Sequence, residues 1–383
     1  MRGYKIKLYP SESQKEILNE HINLFRYAYN WALNESIEFY KENKSYIGKT
    51  ELMKRFSIMR NNNEWMQKLP LHSGRLAIEH LDFAYKKFFK GLAHFPVYKS
   101  KKYSKKCVHY RNESYAFNFT EDSVRISGFA RNERILCKTH NIPPSKSGYY
   151  NCTITFDGIN YWLSVNVENV DINPDYYTDK LTDESIGIDL GIRKFAQLSN
   201  GMAYHHPKKL KVLDKRQRKE QSRLIKMRNT RLDIANKAKI KLEDVPLTKN
   251  EQKLKIKNMK TKLKQKNIRN SFIHQTTTEI VKLLPERIVI EDLNVSEFKR
   301  QKINNRDAIA HSMWYKFREC LSYKCYERNI NLVVADRSFP LSQLCSRCGF
   351  RKKTSYREFI CPNCGLRIDR DLNASINLSM YNA

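Results

Sequence analysis

Ile186-Gly187-Ile188-Asp189-Leu190-Gly191 is an apolar strand interrupted by a single acid. Buried strand ends seldom carry an unpaired carboxylate, so Asp189 calls for a chemical explanation. Further on, Arg287-Ile288-Val289-Ile290 runs into Glu291-Asp292-Leu293, and again an acid ends an apolar strand. Ser312 to Arg328 carries Trp314, Phe317, Leu321 and Tyr323 in a helical stretch, and Asn331-Leu332-Val333-Val334-Ala335 reads as another short strand. Strands alternating with helices predict an α/β layer with a largely parallel core.

The amino-terminal half has a different texture. Lys5 to Tyr9 alternates as a strand does and ends at Pro10. Ser11 is placed to cap a helix through Gln14, Ile17, Leu18 and His21, and Arg75 to Lys90 repeats apolar residues at largely helical spacing. From Phe95-Pro96 onward short alternating runs are broken by Gly, Pro and Asn. The clearest hairpin joins Cys152–Phe156 to Tyr161–Val167 through Asp157-Gly158-Ile159-Asn160. These patterns predict a helical domain over 11–94 and a small β-domain over 95–182 that residues 1–10 join.

The 383 residues include 71 Lys+Arg against 40 Asp+Glu, a net charge of +31. So large a charge repels itself unless a polyanion neutralises it, which disfavours an ordinary metabolic enzyme and favours nucleic acid. With 22 Tyr, 18 Phe and 4 Trp, the chain is too aromatic for a disordered basic tail. Between Lys208 and Arg269 stand 23 Lys+Arg and 6 Asp+Glu, a net of +17, more than half of the total. Ile256, Met259 and Leu263 repeat there on one helical face, continued by Ile273, Thr277 and Ile280. A basic helical segment over 208–284 is therefore the expected electrostatic centre, with Lys208 and Lys209 at its start and Arg75 on an earlier helix as candidate nucleic-acid contacts. No apolar run is long enough to span a membrane and the first residues lack the apolar core of a signal peptide, so an intracellular protein without a membrane partner is expected. An odd count of nine Cys fits reduced thiols.

Four of those cysteines form a pattern. Cys345-Ser346-Arg347-Cys348-Gly349 and Cys361-Pro362-Asn363-Cys364-Gly365 are two C-x-x-C-G knuckles with twelve residues between the paired thiols. Two residues between thiols let both sulfurs reach one ion, and four thiolates close a tetrahedral structural Zn²⁺ site with no open position. A redox pair or an iron–sulfur cluster is the weaker alternative, because no thioredoxin-like pattern surrounds either knuckle. Directly afterwards, Asp369-Arg370-Asp371-Leu372-Asn373 reads as a capped helix start. Asp189, Glu291 and Asp371 are thus acids at the ends of core elements in a strongly basic chain. Any one alone reads as a cap or ion-pair partner, whereas three converging on two Mg²⁺ ions suit phosphodiester hydrolysis.

IGIDLG at Ile186–Gly191, IVIEDLNV at Ile288–Val295, the double knuckle and DRDLNASIN at Asp369–Asn377 together resemble TnpB, the transposon-associated RNA-guided endonucleases related to type V CRISPR effectors. KIKLYPSESQ at Lys5–Gln14, RYAYNW at Arg26–Trp31 and FPVYK at Phe95–Lys99 extend the resemblance over nearly the whole chain. It implies a multidomain α+β protein. A β-barrel wedge domain would take 1–10 and 95–182, and a helical recognition domain 11–94. An RNase H-like (RuvC) α/β nuclease domain would take 183–340 and 366–383, with a four-cysteine zinc ribbon inserted at 341–365. The resemblance further implies a guide RNA from the transposon end, a double-stranded DNA target cut beside a short motif, and a single RuvC site. Carried over by motif, its metal ligands are Asp189, Glu291 and Asp371. Alternation along a strand sets Glu291 against Asp292, and helical geometry sets Asp371 against Asp369; the family pattern selects Glu291 and Asp371. Leu341 and Ser375 depart from that pattern, which has Ser and Ala there. A catalytically silent RNA-guided repressor and a strand-transfer transposase are the rival readings.

Overall fold

The computed structural model describes residues 2–111, 118–126, 128–130, 132–138, 148–167, 181–292 and 308–381. The chain divides into two compact units, Met1–Asp171 and Ile172–Ala383.

In the first unit β1 (Arg2–Tyr9) leads into α1 (Glu12–Asn43). The Ser11 hydroxyl accepts from the Gln14 N–H at 3.2 Å, and the Gln14 side chain accepts from the Ser11 N–H at 3.1 Å, closing a capping box. α2 (Lys49–Asn61), the single turn α3 (Glu64–Gln67) and α4 (Leu71–Phe89) complete the helices. The strands are β2 (Cys107–Tyr110), β3 (Asn118–Phe119), β4 (Ser123–Arg125), β5 (Ile135–Cys137), β6 (Tyr149–Phe156) and β7 (Tyr161–Val167). They form one antiparallel sheet in the order β2-β6-β7-β1-β5-β4-β3. The strand at Lys5–Tyr9 therefore joins the later β-region as expected, and it sits in the middle of the sheet. Among the described residues no pairing joins β2 to β3, the closure that a barrel would need. Helices and sheet share one hydrophobic core, in which Leu18, Phe25 and Leu81 join Ile6, Leu163 and Val165.

The second unit is built on β8 (Thr182–Leu190), β9 (Lys194–Leu198), β10 (Ala203–His205), β11 (Pro285–Glu291) and β12 (Asn331–Ala335). Their order is β10-β9-β8-β11-β12. The first three strands form an antiparallel meander, and β11 and β12 run parallel to β8 and to each other. Ile186, Gly187 and Ile188 are buried in succession, as expected of a strand covered on both faces. On one face α6 (Lys249–Val281) and α7 (Ala308–Glu327) contribute Ile273, Ile280, Phe317 and Leu321 to the core with Ile186 and Ile188. On the other, α8 (Arg370–Ser379) lays Leu378 against Val289 and Ala335.

Gly187 explains how close α8 comes. A β-carbon there would stand 1.9 Å from the Ser375 carbonyl oxygen and 2.4 Å from the Ser379 amide nitrogen. Both are backbone atoms and cannot swing aside as a side chain would. Arg287 fixes the far end of the same helix, donating from Nε to Ser185 Oγ at 3.1 Å and from its guanidinium to the Ser379 carbonyl at 3.0 Å. The Ser375 hydroxyl is spent inside α8 on the Leu372 carbonyl at 2.8 Å, so this departure from the family pattern is accommodated locally.

The basic segment is a helical hairpin of α5 (Lys208–Ala238) and α6, but its seam is not the apolar face expected from the sequence. Ile256 and Met259 are 51% and 38% exposed, whereas Glu251, Asn258, Thr261 and Gln265 are buried. Asn258 donates to Gln221 at 3.0 Å, Gln265 to Asp214 at 2.6 Å, and Arg231 pairs with Glu251 at 2.9 Å. Three of the hairpin's acids, Asp214, Glu220 and Glu251, are thus paired with its own arginines, Glu251 also with Lys255 at 3.3 Å, which leaves most of the exposed lysines without a carboxylate partner among the described residues. Among the described residues no helix is long and apolar enough to cross a membrane.

Gly187→Ala is expected to lower unfolding free energy by about 3 kcal/mol or more, since α8 must move as a body. Urea unfolding measures this, and a variant as stable as the parent would show that α8 does not rest on β8.

Candidate metal centres

Asp189 is the penultimate residue of β8 and Glu291 the last of β11. The parallel register places Ile188 opposite Ile290, so the next residue of each strand, Asp189 and Glu291, lies at one level. Glu291 is steadied by the Leu190 N–H, which donates to its carboxylate at 3.3 Å. Asp371 enters from the first turn of α8, which lies on β8. The three acids share one electrostatic site. Burial, then the neighbouring charges of Glu291 and Asp371, hold Asp189 well above the usual carboxylate range. Burial pushes Glu291 up to about 7, against the pull of the Leu190 N–H. Their oxygens nevertheless do not all lie within 4.8 Å of one another, the spacing that the four cysteines meet.

The two choices left by the sequence have different geometry. Asp292 points into a cationic pair, with Arg318 at 3.0 Å and Arg337 at 2.6 Å, while its neighbour Glu291 faces Asp189. Asp369 is the N-cap of α8, accepting from the Asp371 and Leu372 N–H groups at 3.0 and 3.1 Å and pairing with Lys194 at 3.2 Å. Partial burial would raise its carboxyl, but these donors and Lys194 outweigh burial and hold it below the usual range. Asp371 is less encumbered, with Arg357 at 3.5 Å and Arg370 at 3.8 Å. Hard carboxylate oxygens in mutual repulsion are a donor set that Mg²⁺ fits.

The cysteine centre is closed. Cys345 and Cys364 sulfurs stand 3.5 Å apart and those of Cys348 and Cys361 3.6 Å apart. Four sulfurs about 2.3 Å from one tetrahedral ion would stand roughly 3.8 Å apart, so the set fits Zn²⁺. All four are free thiols. The knuckles are built alike: Gly349 donates to the Cys345 carbonyl at 2.9 Å and Gly365 to the Cys361 carbonyl at 3.0 Å. Both glycines are left-handed, with φ of +72° and +69°, where a side chain would be strained. β13 (Glu358–Ile360) and β14 (Arg367–Asp369) close the ribbon and lead directly into α8.

α8 also grips the ribbon by two asparagines that the sequence reading did not single out. Asn373 accepts from the Ser346 N–H at 2.9 Å and donates to the Leu344 carbonyl at 2.6 Å. Asn377, one turn later, donates to the Leu341 and Leu344 carbonyls, both at 2.8 Å. Their four-residue spacing was the available signal. The other candidates are dispersed. Lys208 and Lys209 are exposed at the start of α5, whereas Arg75 is half-buried on α4 with its guanidinium 3.5 Å from the Ser57 hydroxyl.

Three family models match the chain: a helix-turn-helix domain of OrfB_IS605 at residues 1–45, OrfB_IS605, described as a probable transposase, at 164–302, and the Cas12f1-like TNB domain at 314–378. Within the first span this chain has one strand and one uninterrupted helix. A Streptomyces pristinaespiralis protein named for RNA-guided DNA endonuclease activity is 28% identical over 386 residues, covering 98% of this chain and 88% of its own. InsQ of Escherichia coli K12, named for the same activity, is 23% identical over 403 residues, covering 99% of this chain and 91% of its own. The protein of a Cas12f1–sgRNA–target DNA complex superposes with a TM-score of 0.60 at 15% identity, covering 96% of this chain and 83% of its own, a likeness of fold.

Two outcomes test the centres. Cys361→Ser is expected to abolish stoichiometric zinc by elemental analysis and to loosen the carboxy-terminal elements, since the ribbon and α8 are joined; full zinc content would place the ion elsewhere. In chelator, the raised Glu291 carboxyl keeps a proton between pH 4.5 and about 7 that the unfolded chain releases, so stability falls as pH rises through that window, by on the order of 3 kcal/mol. Asp189→Asn is expected to raise the chelated protein's Tm at pH 8 by about 2 °C or more and to flatten the pH dependence. A lower Tm than the parent at pH 8 would mean that the acids do not repel.

Proposed function

The chain belongs to the TnpB family, and from that premise we propose that it is an RNA-guided, Mg²⁺-dependent DNA endonuclease, with Asp189, Glu291 and Asp371 as its catalytic acids. The observation that carries this is the meeting of three acids from β8, β11 and α8, in a sheet whose meander-then-parallel order is that expected of an RNase H-like domain. Two Mg²⁺ held there would supply activation of water and stabilisation of the leaving oxygen of a phosphodiester. The chain's own residues supply the rest. Leu190 orients Glu291 through its N–H, Asp369 caps the helix that presents Asp371, and Arg318 and Arg337 draw Asp292 away.

Residues 11–94 would serve recognition, 1–10 and 95–182 the wedge, 183–340 and 366–383 the RuvC nuclease, and 341–365 the zinc ribbon. Base pairing with a guide RNA derived from the transposon end would read the target beside a short motif, while the lysines of α5 and α6 hold the nucleic-acid backbone. A strand-transfer enzyme would use the same acids without RNA.

The test is to purify the protein from its own locus, sequence the co-purifying RNA, and present a duplex matching its guide segment with Mg²⁺. Cleavage is expected from the parent, and Asp189→Ala is expected to reduce it to background while guided binding persists. Retained cleavage would put the active site elsewhere, and RNA-free protein that still joins DNA ends would favour the transposase.

A further inference from the structure

Within the first unit a cavity of about 290 Å³ opens between α1, the loop after Lys99 and the end of β6. One wall is the α1 stripe Asn19, Asn23 and Arg26, spaced to share a helix face. The opposite wall carries Lys101, Lys105 and Lys106, and Phe156 closes one side. Among the described residues no acid lines it. We propose that this cavity seats one nucleotide of an unpaired RNA strand.

Four cations around a concavity focus field on an anion, and a phosphodiester is the anion that this basic chain meets. Phe156 supplies a ring for the base. One of its faces is stacked on Tyr161, with centroids 4.6 Å apart at 28°, and Lys106 Nζ lies over the ring 5.5 Å from its centroid, a long exposed side chain that an entering base would displace towards its own phosphate. Such aromatic and cationic pairing is how proteins hold single strands without reading sequence. Amides of Asn19 and Asn23 and hydroxyls of Ser100 and Ser104, also in the lining, suit a ribose 2′-hydroxyl, which favours RNA over DNA.

The loop is held ready. Asn30 accepts from the Lys99 N–H at 2.7 Å and donates to the Lys99 carbonyl at 2.9 Å, while the Tyr98 hydroxyl donates to Asn34 at 3.1 Å. The basic wall is therefore positioned before the ligand arrives, which reduces the ordering cost of binding. The inference deepens the proposed RNA partnership and rests on it.

Fluorescence anisotropy of the full chain, freed of nucleic acid, with a labelled oligouridine tests this over a salt series. Arg26→Gln is expected to weaken binding about fivefold or more and to lower the salt slope by about one, whereas Lys54→Gln, an exposed lysine on α2, changes binding much less. Phe156→Leu is expected to weaken binding with the salt slope unchanged, because stacking releases no counterion. The double variant Lys105→Gln/Lys106→Gln alters only exposed side chains and is expected to reproduce the loss without a change in Tm. Equal losses from Arg26→Gln and Lys54→Gln, or no loss from the lysine pair, would overturn the site. Equal binding of oligothymidine with the same sensitivities would overturn the RNA assignment, and full competition by uridine monophosphate would replace the strand by a free nucleotide. A parent that binds no RNA would instead defeat the guided reading itself.

Discussion

The approach of α8 to β8 over Gly187 governs the second unit. A helix backbone that rests on a strand where no side chain intervenes has its height fixed by atoms that cannot adjust. Asp371, in the first turn of that helix, is thereby brought to Asp189 in the strand and to Glu291 in the parallel neighbour. The same helix carries Asn373 and Asn377 into the loop of the first knuckle. Ribbon, helix and acids form one mechanical assembly.

Electrostatics work in opposite senses in two regions. Along α5 and α6 positive charge is left uncompensated, because Asp214, Glu220 and Glu251 turn inward to their own arginines. Between β8, β11 and α8 negative charge is concentrated in a half-buried setting that raises Asp189 and Glu291. Each region is costly alone and relieved by a charged partner: a polyanion on the hairpin and divalent cations among the acids. The proposed phosphodiester nuclease would find both in its substrate and its metal ions.

Much of this was legible in the sequence because it is local. The helix cap at Ser11, the hairpin of β6 and β7, the strand Asn331–Ala335 and the knuckle spacing each depend on neighbours a few residues apart. Strand alternation sets Glu291 against Asp292 and the family pattern selects Glu291, while in the structure Arg318 and Arg337 pair with Asp292. The seam of α5 and α6 was illegible because apolar spacing was taken as its guide, while the buried stripe is polar and Ile256 and Met259 face solvent. The order of the seven strands was not legible either, since it depends on pairing between residues far apart in the chain. The cavity beside Arg26 joins residues more than a hundred positions apart, and no local pattern announces it.

The central claim is that Asp189, Glu291 and Asp371 share divalent ions. An anomalous-difference map of crystals of the cleavage-competent protein with its RNA, grown in Mn²⁺, tests it most directly. The account predicts peaks bounded by these three carboxylates, with Asp292 and Asp369 outside the coordination. Manganese bound only elsewhere, in protein that still cuts, would contradict it.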